Sequence, residues 1–332
     1  PLNLMRSAMM LLTPRSYARC KKTLAVIAIA FLVFHIAAPS SLSAEKVTVL
    51  YSNATFTGTA LFVAKDAGLC KQKGLELELV LGGGSAPTVS AVVGGHVQFV
   101  QVSASSLLNA ALQGGPVVIV AKVMGPPAYK LVGGMSIRKI EDLKGKKIGV
   151  NRFGGAPDFL LRYVLAKSGL DIQKDVTILQ TGDPAARLLS LFSSALGAAM
   201  LLVPEEKVAV EKGYPVIIDF GKLELPLVNV VLGAHKKFAE NNPALMKTFL
   251  GCYWEGVTRA KAEPEFTKKS LARWTRVSDP SLLDYIYESW RADYAPQTLR
   301  VESRELDLLL GPGPKPGSKQ DASQFLDMRY LP

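Results

Sequence analysis

Cysteine and histidine are scarce in this sequence, with three of each among 332 residues. After residue 43 only Cys70, Cys252, His96 and His235 remain, and none stands at the spacing of a CxxC pair, an HExxH helix or a zinc finger. We therefore expect no metal site and no cofactor. An exported compartment would permit a disulfide, but the two cysteines lie in separate apolar runs, so we expect two separate buried thiols.

Enzyme signatures are missing as well. The sequence has no GxSxG elbow, no Walker loop and no complete dinucleotide-binding fingerprint. Ser136 and Lys139 match the spacing S-x-x-K, but the KTG motif that belongs with it is absent, so the match is attributed to chance. We expect a protein that is not an enzyme.

Long hydrophobic runs are absent after residue 44. Before that point, residues 24–38 form an apolar stretch that follows five basic and no acidic residues and precedes small residues up to Ser43. This pattern predicts that residues 1–43 are a cleaved signal peptide, with an uncleaved signal anchor as the alternative. Without the five basic residues, 34 basic side chains stand against 28 acidic ones, a net charge of +6. Such a modest excess weakly favours anionic ligands and does not predict nucleic-acid binding.

Short strand-like runs alternate with helix-like runs after residue 44, as in VTVLYS, GTALFVAKDAGLCKQKG and LELELVL. The alternation predicts an α/β fold with mainly parallel sheets covered by helices. It restarts at KKIGVNR, and the chain becomes helical from Pro243. We therefore predict two lobes, with the chain crossing near residues 130–136 and 226–234. Lobe 1 comprises residues 44–133 and 228–332, and lobe 2 comprises residues 134–227.

Three blocks of this mature part carry a family resemblance: YSNATFTGTALFVAKDAGLCKQKGLELELV, GGGSAPTVSAVVGGHVQFVQVS and the run from IEDLKGKKIGV to SSALGAAML. In order and spacing they resemble the solute-binding proteins of ABC transporters, in the group that binds nitrate, sulfonates, taurine and pyrimidine precursors of thiamine. The resemblance covers roughly residues 45–310. Cys70 departs from it, because the family usually has an aromatic residue there. The family also usually ends with a further helix, so a truncated C-terminus is expected.

The resemblance implies a two-lobed type II periplasmic binding fold and a periplasmic, monomeric protein. It implies that the protein captures a small anion or a flat heteroaromatic compound by cleft closure and delivers it to a membrane permease with a cytoplasmic ATPase. Two alternatives remain open, an exported enzyme on the same scaffold and a ligand-sensing module for a membrane receptor.

Two glycine-rich loops are the first candidates for a binding site. GGGSAP (82–87) ends a strand and opens a helix, and FGGAPD (153–158) repeats this arrangement in the second half. Glycine lets a ligand approach the backbone, and a helix N-terminus favours anions. A tight turn is the alternative role of each loop. The candidate ligand-binding residues from these loops are Gly83, Gly84, Ser85, Phe153, Gly154 and Gly155.

Polar residues at other predicted strand ends complete the candidate set, because ligands of parallel sheets bind at the carboxyl ends of the strands. Arg152 is expected to pair with an anionic ligand, and Tyr129 to stack on a flat one or to fill the core. One of the serines at 103–106 is expected to cap a helix. The remaining candidates are Ser52, Asn53, Thr55, Phe56, Ser103, Ser105 and Thr181.

Overall fold

The computed structural model describes residues 44–310 and 321–332. The predicted signal peptide lies outside these residues and stays a prediction. Within the described part of the chain, no helix is both long enough and apolar enough to cross a membrane.

The first sheet has five strands in the order β2-β1-β3-β10-β4. Its strands are β1 (Glu45–Tyr51), β2 (Leu75–Leu81), β3 (Phe99–Ser103), β4 (Val117–Met124) and β10 (Val230–His235). The alternating leucines of β2 face inward only over its first half, since Leu81 is 53% exposed. The central strand β3 is buried throughout, as expected for a strand covered on both faces.

The second sheet has the order β7-β6-β8-β5-β9. Its strands are β5 (Lys130–Gly133), β6 (Lys146–Val150), β7 (Val176–Gln180), β8 (Ala198–Leu201) and β9 (Val216–Asp219). In each sheet four strands run in one direction, and the strand that follows a chain crossing, β10 or β5, runs antiparallel to both of its neighbours. The predicted α/β class with mainly parallel sheets is confirmed.

Helices cover both sheets, and the described part of the chain from residue 236 onward forms helices without further strands. They are α1 (Thr59–Asp66), α2 (Ser85–Val93), α3 (Ala104–Leu112), α4 (Ala156–Lys167), α5 (Pro184–Phe192), α6 (Glu205–Glu211), α7 (Lys236–Asn241), α8 (Pro243–Ala262), α9 (Pro264–Thr275), α10 (Pro280–Ser289) and α11 (Asp307–Leu310). Proline stands in the first turn of α4, α5, α8, α9 and α10. There its missing N–H leaves no hydrogen bond unmade.

The division into lobes stays a prediction. Strand β5 (Lys130–Gly133), which that division assigns to lobe 1, is hydrogen-bonded within the second sheet. The chain leaves the first sheet after Met124 and passes through Gly125, Pro126 and Pro127, so its crossing begins a few residues earlier than the sequence indicates.

Helix α8 packs closely on α1. A Cβ added at Gly256 would lie 2.4 Å from the carbonyl oxygen of Ala60 and 3.0 Å from the Cβ of Ala64. Only glycine therefore permits this helix crossing. Phe249, two turns earlier on α8, packs on Phe99 of β3 with ring centroids 4.0 Å apart, which ties the C-terminal helices to the first sheet.

Candidate functional site

The carboxyl ends of several strands of both sheets meet at one small cavity of about 30 Å³, called here the inner cavity. Fourteen residues line it: Ser52, Asn53, Thr55, Thr57, Ser85, Ser103, Tyr129, Asn151, Ala156, Pro157, Pro184, Arg187, Leu202 and Val230. This is where open parallel sheets place their ligands.

Hydroxyl and amide groups form the wall on the side of the first sheet. Ser52 follows β1, and its Oγ accepts a hydrogen bond of 3.2 Å from the amide of Asn53. The hydroxyls of Thr55 and Thr57 lie 3.0 Å apart. These short side chains present several donors and acceptors without charge.

A cluster of serines lies where β3 ends and α3 begins. Ser103 caps α3, because its Oγ accepts a hydrogen bond from the backbone N–H of Ser106. The Oγ of Ser105 donates to the same Ser103 oxygen, and the N–H of Ser103 donates to Ser85 Oγ. The expected capping by one of these serines is confirmed. Ser85 and Ser103 line the inner cavity. Ser105 does not line it and contacts it only through its hydrogen bond to Ser103.

Four helices begin at the inner cavity, two from each sheet. Ser85 opens α2, Ser103 caps α3, Ala156 opens α4 and Pro184 opens α5. Each N-terminus carries a partial positive charge and unpaired backbone N–H groups. The cavity therefore lies in a positive potential to which both sheets contribute.

Arg187 is the only charged side chain among the described residues that line the inner cavity. It is 1% exposed, its Nε donates to the carbonyl oxygen of Met200 at 2.9 Å, and its Nη1 donates to that of Gly182 at 2.6 Å. Within residues 44–310 and 321–332 it forms no salt bridge. Burial lowers the pKa of Arg187, but a guanidinium has so high a pKa that it stays charged. A buried cation without a bonded anion is costly, so this site calls for a negative ligand.

Glu205, at the start of α6, is the carboxyl group that acts most strongly on Arg187, after the phenol of Tyr129. One of its carboxylate oxygens, Oε2, is buried without a hydrogen-bond partner among the described residues. Burial raises the pKa of Glu205 to about 7, although the nearby Arg187 opposes this shift. Burial also raises the pKa of Tyr129, which lines the cavity near Arg187.

Replacing Glu205 with glutamine is expected to flatten the pH dependence of stability. The folded carboxyl has a pKa of about 7 against an ordinary value of 4.5, so between these pH values the folded protein holds a proton that the unfolded chain releases. Stability therefore falls as pH rises through this window, by up to about 3 kcal/mol, and the loss is complete above it. Glutamine cannot ionise. The melting temperature of the variant should therefore exceed that of the parent at pH 8 and equal it near pH 4.5.

Glu211→Gln is the matched control, because Glu211 lies on the same helix with its side chain 57% exposed. Its melting profile should follow that of the parent at every pH. A Glu205→Gln variant that loses as much stability as the parent between pH 5 and pH 8 would contradict the assignment.

The two glycine loops come from different sheets and face each other. A Cβ added at Gly84 would lie 2.8 Å from Cδ and Nε of Arg152, and Ser106 Oγ donates to the carbonyl oxygen of Gly154 at 2.9 Å. Gly83, Gly84 and Arg152 line a second opening, called here the outer cleft, which shares Ser52, Asn53 and Thr55 with the inner cavity.

The predicted residues thus fall into three groups. The inner cavity is lined by Ser52, Asn53, Thr55, Ser85, Ser103 and Tyr129. The outer cleft adds Gly83, Gly84 and Arg152. Neither is lined by Phe56, Ser105, Phe153, Gly154, Gly155 or Thr181.

Several residues that line neither opening have structural roles close to the cavity. Phe56 is buried against Tyr294, with ring centroids 5.4 Å apart. Gly155 caps α4, and Thr181 Oγ1 donates to the carbonyl oxygen of Val150. Phe153 is 47% exposed, and the guanidinium of Arg162 lies 5.7 Å from the centre of its ring.

Thr57, Asn151 and Arg187 are the polar residues of the inner cavity that are absent from the predicted set. Asn151 immediately follows β6, so the strand-end rule applies to it as well. Arg187 stands one position before Leu188 and one turn before Leu191, the two buried leucines of α5. An arginine on the buried face of an amphipathic helix was the available signal.

Comparisons with known proteins identify the family and the fold. The profile of the family described as NMT1/THI5 like matches residues 55–267, more than half of the chain. The candidate binding protein YtlA of Bacillus subtilis (strain 168) is 26% identical over 199 residues, which are 58% of this chain and 59% of YtlA. The match thus spans well under two thirds of that relative.

Solved structures share the fold. The alkanesulfonate-binding protein SsuA from Xanthomonas axonopodis pv. citri bound to MOPS superimposes with a TM-score of 0.68 at 18% identity, over 80% of this chain and 90% of that one. The periplasmic nitrate-binding protein NrtA from Synechocystis PCC 6803 gives 0.62 at 17% identity, over 73% and 70%. The resemblance to this group and the two-lobed binding fold are confirmed, and the chain belongs to the NMT1/THI5-like family.

Proposed function

We propose that this protein is an extracytoplasmic solute-binding protein that captures a small oxyanion, of the sulfonate or nitrate type, between its two sheets. The observation that carries the proposal is Arg187, a buried guanidinium that lines the inner cavity and forms no salt bridge within the described residues. Two of its five N–H groups bind backbone carbonyls. The others remain for a ligand, and guanidinium groups bind planar or tetrahedral oxyanions with two parallel hydrogen bonds.

The rest of the cavity suits the same ligand class. Four helix N-termini and the hydroxyls of Ser52, Thr55, Ser85 and Ser103 surround it, and both kinds of group donate hydrogen bonds to oxyanions. SsuA and NrtA, which share the fold, are named for binding an alkanesulfonate and nitrate. A neutral heteroaromatic compound, the other class that the sequence indicates, would leave the Arg187 charge buried without a counter-ion.

Calorimetric titration tests the ligand class. The protein should bind a short alkanesulfonate or nitrate with a dissociation constant in the micromolar range or tighter, and a neutral pyrimidine at least 10-fold more weakly. Tight binding of the pyrimidine, with no heat from sulfonates, nitrate or carboxylates, would overturn the oxyanion assignment. Turnover of a bound compound would favour the alternative of an exported enzyme.

We further propose that the ligand is released to an ABC permease after export to the periplasm. The predicted signal peptide and the family's solute-binding members support this location. Protein recovered from the periplasmic fraction should begin near Ser43–Glu45 by N-terminal sequencing. Protein that keeps residues 24–38 and stays in the membrane would contradict the proposal of a free carrier.

Ligand capture is proposed to proceed by closure of the two lobes about the crossings between β4 and β5 and between β9 and β10. The contacts of Gly84 with Arg152 and of Ser106 with Gly154 join the two sheets over the inner cavity. A ligand that touches both sides favours this closed arrangement over an open one.

A further inference from the structure

The two cysteines of the described chain are neighbours in the core. Cys70 lies in the turn after α1 and is 2% exposed, and Cys252 lies on α8 and is fully buried. Both thiols are free and lie in one buried cluster beneath the first sheet, and Cys252 is the group that acts most strongly on the pKa of Cys70. The predicted burial of both thiols is confirmed. Their proximity was not predicted, because the two cysteines lie in separate apolar runs of the sequence.

Close packing holds the backbones on either side of this pair. Gly256, one turn after Cys252, is pressed against Ala60 of α1. Lys73, three residues after Cys70, forms a salt bridge of 2.9 Å with Glu255 of α8. The carbonyl oxygen of Cys70 accepts hydrogen bonds from the N–H groups of residues 73 and 75. The two chain segments that carry the cysteines are therefore held against each other.

Cys252 is also held within its own helix, because its Sγ–H donates to the carbonyl oxygen of Thr248 at 3.2 Å. Aliphatic and aromatic side chains of the same buried cluster surround both thiols.

We propose that Cys70 and Cys252 form a disulfide that joins the turn after α1 to α8. The oxidant is a disulfide, either that of a thiol oxidoreductase or glutathione disulfide. The thiolate of one cysteine attacks one sulfur of the oxidant and expels a thiolate, and the other cysteine then attacks the sulfur of the first in the mixed disulfide and expels the second thiolate. Two electrons and two protons pass from the cysteines to the oxidant, which becomes two thiols. Because both cysteines are buried in the folded protein, the exchange takes place while the chain folds.

Peptide mapping tests the bond independently of location and ligand. The full chain is unfolded, reduced, and refolded in a buffer of reduced and oxidised glutathione, after which free thiols are alkylated and the protein is digested with trypsin without reduction. A single species should join residues 66–71 to residues 248–259 and lack two hydrogen atoms relative to the separate peptides. Recovery of both peptides alkylated, joined to glutathione, or joined to Cys20 would overturn the proposal.

A melting experiment supplies a second readout. Reducing the refolded protein should lower its melting temperature by about 5 °C or more, because the crosslink encloses a long stretch of chain. The variant Cys70→Ser/Cys252→Ser should show the same melting temperature with and without reductant. Equal melting of the refolded and reduced parent would count against the bond. The result leaves the proposed oxyanion binding untouched, since neither cysteine lines the inner cavity.

Discussion

Replacing Arg187 with alanine is expected to lower the affinity for an alkanesulfonate or nitrate by roughly 10- to 150-fold. Hydrogen bonds to charged groups contribute about 1.5–3 kcal/mol each, and each 1.4 kcal/mol is a factor of 10. The expected loss is large because Arg187 is buried, so water does not screen its charge. Calorimetry on variants whose melting curves resemble that of the parent measures the effect.

Arg152→Ala is the matched control, since Arg152 lines only the outer cleft and is exposed. Its loss of affinity should be smaller than that of Arg187→Ala. Arg187→Lys keeps the positive charge but loses the planar guanidinium, so the affinity of this variant should lie between those of the parent and of Arg187→Ala. Unchanged affinity in Arg187→Ala protein that is folded would remove the main support for the oxyanion site. A larger loss in Arg152→Ala would move the anion contact to the outer cleft.

Replacing Gly84 with valine is expected to reduce ligand affinity by about 10-fold or more, because a side chain there would displace Arg152 from its position across the cleft. A Cβ at Gly84 would come within 2.8 Å of the Arg152 side chain. The closed form would become less populated, and the apparent affinity falls with the fraction of protein that is competent to bind. Calorimetry gives the affinity, and small-angle scattering with saturating ligand gives the compaction.

Gly83→Val separates backbone strain from this contact. Both glycines have positive φ, 69° at Gly83 and 115° at Gly84, so both variants should lose about 1 kcal/mol or more of stability. A Cβ at Gly83 meets no atom within 4 Å, so the ligand affinity of the Gly83→Val variant should stay near that of the parent. Adding Arg152→Ala to Gly84→Val should restore part of the affinity. Equal affinities in the two valine variants would mean that the loops do not meet during binding.

The fold was readable from the sequence because its signals are local. Alternating runs such as LELELVL predict strands, and prolines and terminal glycines mark helix ends. The antiparallel insertion of β5 and β10 depends on pairing between distant strands, which no local pattern encodes.

The candidate site was predicted in part for the same reason. Residues that follow strands, such as Ser52 and Ser103, are identified by the rule that ligands bind at strand ends. Arg187 reaches the cavity from within a helix, so no strand-end rule finds it. The two glycine loops, which look alike in sequence, follow the edge strand β2 and the inner strand β6, so they are not equivalent positions of a repeat. Their meeting across the cleft is a tertiary property.

The placement of β10 has a consequence for the order in which the protein is completed during synthesis. Within the first sheet β4 pairs with β10 alone, and the Val230 end of β10 lies opposite Met124 at the end of β4, so the two strands form a hairpin. The loop of that hairpin is the entire second sheet with its helices. The ribosome therefore delivers a complete second sheet while β4, buried almost throughout in the finished protein, still lacks its neighbour in the first sheet. The first sheet is therefore completed only after all strands of the second sheet have been synthesised.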